Sequence, residues 1–276
     1  MSEIIKIIQP KDKFNWNDFK ELWNYRELLY FLTWRDLKVR YKQTIVGVAW
    51  VIFQPFMSMI VFTLIFGKLA NIPSDGVPYP IFVFIGLLFW QFFSSALGDI
   101  SNCLVNNQGI ISKVYFPRVL LPLSMILTRL VDFVVASVIL VALMIYYRFM
   151  PNMLIGIAIF PLLMLMTFLA CLGLGLFFAS LNVKYRDVRY VLPYFIQIMM
   201  FLTPVFYSTT IIGHKYSWIF ALNPMSSVIK NARSAFLGVW QINWLELVLS
   251  LSVCVVTLVI GWLYFRKMER DSVDLI

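Results

Sequence analysis

Four cations crowd the stretch RDLKVRYK, at Arg35, Lys38, Arg40 and Lys42, and the run meets an apolar segment with no linker between them. Arg forks and Lys point charges gathered on one surface can hold an anion. On a helix turning about 100° per residue, Arg35, Lys38 and Lys42 fall within about 60° of one another. Trp34, Leu37 and Tyr41 form a neighbouring apolar stripe, and Arg40 points elsewhere. A helix of this kind can lie among lipid headgroups and present three cations to one anion. Ordinary anchoring to acidic lipid would need the same pattern, and these residues alone leave both readings open.

Other chemistries lack their parts. The sequence has no G-x-x-x-x-G-K-[ST] loop, so no P-loop grip on ATP is expected. One histidine, His214, rules out a His-pair metal site and makes a Ser-His-Asp triad improbable. Cys103, Cys171 and Cys254 sit in or near apolar runs at no metal-ligand spacing, and small apolar fillers are the expectation. Asp132 is the one acid deep in an expected span. Arg129 lies three residues earlier on the same helix face, which makes an intrahelical ion pair available. Buried ions in spans mark substrate or proton sites or hold helices together.

The elements that must position these groups are membrane helices. Of 276 residues, 61% are hydrophobic and 13% charged, and the mean hydropathy is +0.82. A soluble domain is nearer half apolar and a quarter charged. The net charge of +9 sits in the gaps between apolar runs, which points to membrane topology and not to nucleic acid. Six apolar runs are long enough to span, at about 47–66, 81–98, 119–147, 153–181, 191–207 and 244–265. They lack the period-two alternation of a barrel. The fold expected is an all-α integral membrane protein. With the N-terminus inside, seventeen of the 23 Lys and Arg residues fall on inner segments and five on outer ones, so both termini are expected in the cytoplasm. No cleavable signal peptide is read in the first forty residues.

Two further segments do not span. Residues 18–42 mix Leu, Trp, Tyr and Phe with charges, as an amphipathic interface helix does. The outer stretch 208–243 reads as short helices dipping toward the membrane, with Pro224 just inside a helix start.

RDLKVRYKQTIVGVAWVIFQP (35–55) resembles the opening signature of the permease subunits of type-2 ABC exporters for polysaccharides. SLNVKYRDVRYVLPYFIQIMMFLTPVFY (180–207) is similar to the family's second signature, and LNPMSSVIKNAR (222–233) to its outer segment before the last span. Order, spacing and the six-span layout agree over nearly the whole chain.

The resemblance implies a single transmembrane domain over 1–276 that forms one half of a homodimer in the bacterial inner membrane. Each half would bind a separate ABC ATPase subunit, two copies in all, which would hold ATP and Mg; no cofactor is implied in this chain. Its cargo would be a lipid-linked polysaccharide, with O-antigen favoured over capsule polymer or teichoic acid. The pyrophosphate of the lipid anchor would be captured by Arg35, Lys38 and Lys42, with Arg40 a weaker member. The inner connection 107–118 would be a coupling helix, with Asn107, Lys113, Tyr115, Phe116 and Arg118 toward the ATPase, and Arg186 and Asp187 bracing that contact. Spans one, two and five line the route in similar proteins, so Phe53, Phe89, Trp90, Phe93, Tyr194, Phe201 and Tyr207 would line it here. Outer helices in 213–240 would gate the exit. Rival readings are an exporter of a small lipid or drug, a membrane glycosyl- or acyltransferase, and a proton-driven transporter using Asp132.

Overall fold

The structure, a computed structural model, describes residues 22–42, 47–149, 153–209, 217–237 and 244–271. Ten α-helices carry those residues: α1 (Arg26–Lys42), α2 (Gly47–Phe62), α3 (Tyr79–Asn106), α4 (Gln108–Ile111), α5 (Leu120–Tyr146), α6 (Met153–Lys184), α7 (Val188–Leu202), α8 (Ser217–Leu222), α9 (Pro224–Leu237) and α10 (Trp244–Asp271). A π-helical stretch, Thr63–Leu69, continues α2. There is no strand among the described residues. Five helices are long and apolar enough to cross a membrane: α2 with its π-helical end, α3, α5, α6 and α10. The apolar α7 has 15 residues, about 22 Å at 1.5 Å per residue.

The centre of the bundle is α3. It is apolar on every side over its first half, as a helix surrounded by other helices must be, and α2, α5, α6, α7 and α9 all pack on it. Its side chains from Ile81 to Leu88 are buried without a break. By contrast α2, α5 and α10 leave most of their apolar surface outward, as lipid-facing helices do.

Lipid tails are as apolar as Leu, so helices in a bilayer associate by close packing and polar contacts. The α6–α10 crossing works by close packing. A Cβ on Gly261 would come 2.1 Å from the Gly173 carbonyl oxygen, and one on Gly173 would come 2.7 Å from Leu258 N. The two backbones therefore touch. Gly175 makes room for the Ile100 side chain of α3, which a Cβ there would approach to 2.6 Å, and Cys254 donates to the Met166 carbonyl at 3.5 Å. All three cysteines are free and buried.

Helix α5 covers nearly the same residues as the third apolar run, whereas α3 runs eight residues beyond its own run and α7 stops five short. The longer α3 takes Asp99 into a span, so Asp132 is not the sole acid there.

Candidate functional site

The last turn of α1 lies against α3 near Asp99 and against the middle of α5 at Asp132, and the four clustered cations of α1 part company. Arg40 turns inward. Its Nη1 donates to Asp132 Oδ2 at 2.5 Å and its Nη2 to Asp99 Oδ2 at 3.1 Å. Arg129 closes the group. Its Nε and Nη2 fork onto Asp99 at 2.6 and 3.0 Å, and its Nη1 reaches Asp132 Oδ2 at 3.1 Å. Tyr41 donates its hydroxyl to Asp132 Oδ1 at 2.5 Å. Burial, then the bond to Asp132, raises the Tyr41 phenol above its ordinary pKa. Two guanidiniums and two carboxylates make a neutral cluster, the condition under which charges persist at this depth.

Arg35 is also engaged. Its Nε and Nη2 donate to Asp36 Oδ1 at 2.9 and 2.7 Å, and Nη2 donates to Asn107 Oδ1 at 2.9 Å. Lys38 and Lys42 stand on the opposite, exposed face, which Tyr30, Phe31 and Trp34 continue toward the helix start. Geometry thus divides the set: two arginines fasten the helix and two lysines face outward. Arg40, Tyr41 and Asp99 carry this division and were not legible as a group, although the helical angle that set Arg40 apart from the other cations was its signal.

In the 107–118 connection, Asn107 is buried and also donates to the Cys103 carbonyl at 2.8 Å, closing α3. Phe116 is buried, whereas Lys113, Val114 and Tyr115 are exposed. Arg118 Nε lies 4.0 Å from Glu269 Oε1, tying the connection to the end of α10. Arg186 and Asp187 are exposed at the α6–α7 turn.

The other end is built around a break. Thr203, just before Pro204, is extended at φ −100°, ψ 136°, as pre-proline sterics favour, and α7 ends. Irregular backbone at membrane depth must be satisfied by protein. Arg233 of α9 does this, donating to the carbonyls of Pro204 (2.8 Å), Tyr207 (3.2 Å), Val205 (2.5 Å) and Phe82 (3.1 Å), with its guanidinium 3.6 Å over the Phe82 ring. Tyr79 donates to the Phe206 carbonyl at 2.6 Å. Gly86 makes room: a Cβ there would sit 2.5 Å from the Val205 oxygen. Helix α9 starts at Pro224, and Asn223 Oδ1 accepts from Met225 N at 3.1 Å as its cap. Lys230 pairs with Glu246 of α10 at 2.6 Å. His214 lies outside the described residues, as does part of 213–240.

The named aromatics differ in exposure. Phe89, Trp90 and Phe93 are buried inside the subunit, Phe89 edge-on to Phe133 at 5.3 Å. Phe53, Tyr194 and Phe201 are exposed, Tyr194 by 66%. Tyr207 is half-buried and donates to the Phe201 carbonyl at 3.1 Å. On α7 the outward stripe Tyr190, Tyr194, Gln197, Phe201 follows the helical repeat. No group of His, Cys, Asp or Glu able to hold a metal occurs among the described residues.

Similarity to known proteins covers this same framework. The chain is 32% identical over 221 residues to the O-antigen export system permease protein RfbA of Myxococcus xanthus, spanning 79% of this chain and 83% of that one. To the protein of the same name from Klebsiella pneumoniae it is 29% identical over 253 residues, 91% and 95% of the two chains. To the polysialic acid transport protein KpsM of Escherichia coli it is 24% identical over 244 residues, 86% and 91%. The profile of the ABC-2 type transporters matches residues 27–237, from the first turn of α1 through the charge cluster and the broken α7 to the last residue of α9, and on that correspondence the chain belongs to the ABC-2 type transporter family.

Proposed function

We propose that this chain is the membrane permease subunit of an ATP-driven exporter of a lipid-linked polysaccharide, O-antigen first among the candidates. The observation that carries the reading is the end-to-end match to permeases of O-antigen export, up to 95% of the relative's length. The weaker match to a polysialic acid transporter supports a capsule polymer as the second reading.

In this reading the subunit sits in the bacterial cytoplasmic membrane with both termini inside. A second copy completes the channel, and two ATPase subunits bind ATP and Mg and dock on the 107–118 connection. Lys113 and Tyr115 are its accessible contacts, and Arg186 and Asp187 are exposed beside the neighbouring turn. Anchor capture falls chiefly to Lys38 and Lys42, four residues apart on one exposed face, because Arg35 and Arg40 are already committed. A diphosphate carries several acceptor oxygens and suits two ammonium groups at headgroup depth. The accessible aromatics Phe53, Tyr194, Phe201 and Tyr207 would meet the sugar faces, whereas Phe89, Trp90 and Phe93 are buried in the core, Phe89 against Phe133 and Phe160.

The test is co-purification with an ABC ATPase of the same host, then ATP hydrolysis and glycan export in lipid. Lys38→Glu with Lys42→Glu should lower export at least tenfold while membrane insertion and ATPase binding stay intact. Unchanged export in that double variant refutes the capture assignment, and export by this chain with no ATPase refutes the reading as a whole.

A further inference from the structure

The turn of α1 that offers Lys38 and Lys42 to the outside is the turn that holds the charge cluster on its other side. Arg40 and Tyr41 lie between the two lysines in sequence. Their partners, Asp99 and Asp132, belong to α3 and α5, and those are the two helices that flank the 107–118 connection. From Asp99 the rigid α3 has about two turns to run before it ends, and the next residue, Asn107, is itself bonded to Arg35. One face of one helical turn is thus turned outward for an anion while the other is fixed to the two helices that lead to the expected ATPase dock, about two turns from it along α3 and more than three along α5.

Simple attachment would not need this chemistry. Buried ion pairs are costly to desolvate, and well-packed apolar residues of similar size often hold as well or better. What a closed cluster adds is an abrupt response. Arg40 bridges both acids, and so does Arg129. If α1 shifts enough to withdraw Arg40, two carboxylates are left with one guanidinium, so intermediate positions are disfavoured and the helix has two settings in place of a continuum.

We propose that Arg40, Tyr41, Asp99, Arg129 and Asp132 form the transmission that reports anion capture on α1 to the segment where the ATPase docks. The proposal rests on the headgroup reading of Lys38 and Lys42 and adds to it the route by which cargo stimulates hydrolysis. These five are positioning residues: none touches cargo or nucleotide.

The experiment uses the full chain assembled with its ATPase partner in phospholipid vesicles, with a sugar-free polyprenyl diphosphate as the probe. Probe binding and ATP hydrolysis are measured separately. Tyr41→Phe removes one hydroxyl and keeps the ring; Asp132→Asn removes one charge and keeps the shape. Each should bind the probe within twofold of wild type and keep basal hydrolysis within twofold. Stimulation by saturating probe should fall at least fivefold, the lower end of ordinary allosteric coupling. A merely structural role would lower basal hydrolysis and binding together. If Asp132→Asn fails to assemble, Tyr41→Phe decides. Full stimulation in Tyr41→Phe overturns the transmission, as does a wild-type assembly that binds the probe without speeding up. The capture reading fails differently: wild type does not bind the probe, or binding ignores Lys38→Glu and Lys42→Glu.

Discussion

A guanidinium inside a bilayer protein is tolerable when its donors meet acceptors, and Arg233 meets four carbonyls at the α7 break. Arg233→Met should leave those carbonyls short of a donor and cost at least about 3 kcal/mol, given about 1–3 kcal/mol per orphaned buried group. Arg233→Lys should recover only part, since a point charge on a flexible stem cannot span the fork. Thermal unfolding in detergent checks both, and a Lys variant as stable as wild type would deny the fork its role. From sequence, Arg233 is an outer cation and nothing more. Its meaning depends on which backbone groups are left unpaired elsewhere, information that residue type does not carry. Arg129 and Asp132 were readable as a pair because both sit on one helix, three residues apart. Their bonds to Arg40 and Asp99 come from helices distant in the chain, and only the fold brings those together.

Helices were legible where hydropathy alone decides, as in α5. They were not where polar atoms are satisfied by neighbours. The end of α3 carries Asp99, Ser101 and Asn102, with Asn107 as its cap, which reads as a loop. It stays helical because Arg129, Arg40, Arg35 and Asn182 supply partners, Asn182 donating to the Ser101 carbonyl at 2.8 Å. At α7 the apolar run continues, yet the Thr203–Pro204 step ends the helix. The α6–α10 contact makes its own prediction. Gly261→Leu puts a side chain where the Gly173 carbonyl already stands, 2.1 Å from the new Cβ, so the helices must part. A loss of at least about 1–3 kcal/mol is expected, the usual cost of overpacking. Gly98→Ala on α3, where a Cβ meets nothing within 4 Å, should be nearly silent in the same unfolding assay. Equal losses in the two variants would mean that backbone contact is not what the glycine serves.

At the scale of the molecule, the chain has more apolar surface than its own helices cover, to be shared between lipid and, in the proposed homodimer, a second copy. The exposed faces of α2 and α7 set a glutamine beside aromatic rings, which those of α5 and α10 do not. On α2, Gln54 is exposed beside Phe53, and on α7 Gln197 lies between Tyr194 and Phe201. The outward residues of α5 and α10 include Val131, Val134, Val138, Val255, Val256 and Leu263. Polar atoms among aromatics suit a wet, sugar-lined route between two copies, whereas plain aliphatic faces suit lipid. The native cysteines are all buried, so single introduced cysteines can report on the arrangement without background. Phe53→Cys and Tyr194→Cys should cross-link one copy to another in the assembled exporter, and a lipid-linked glycan should protect them. Val138→Cys and Leu263→Cys should stay monomeric under the same oxidant. Cross-links confined to Val138 and Leu263 would place the second copy against the aliphatic faces, and the aromatic stripe of α7 would then be a lipid contact with no part in the path of the polymer.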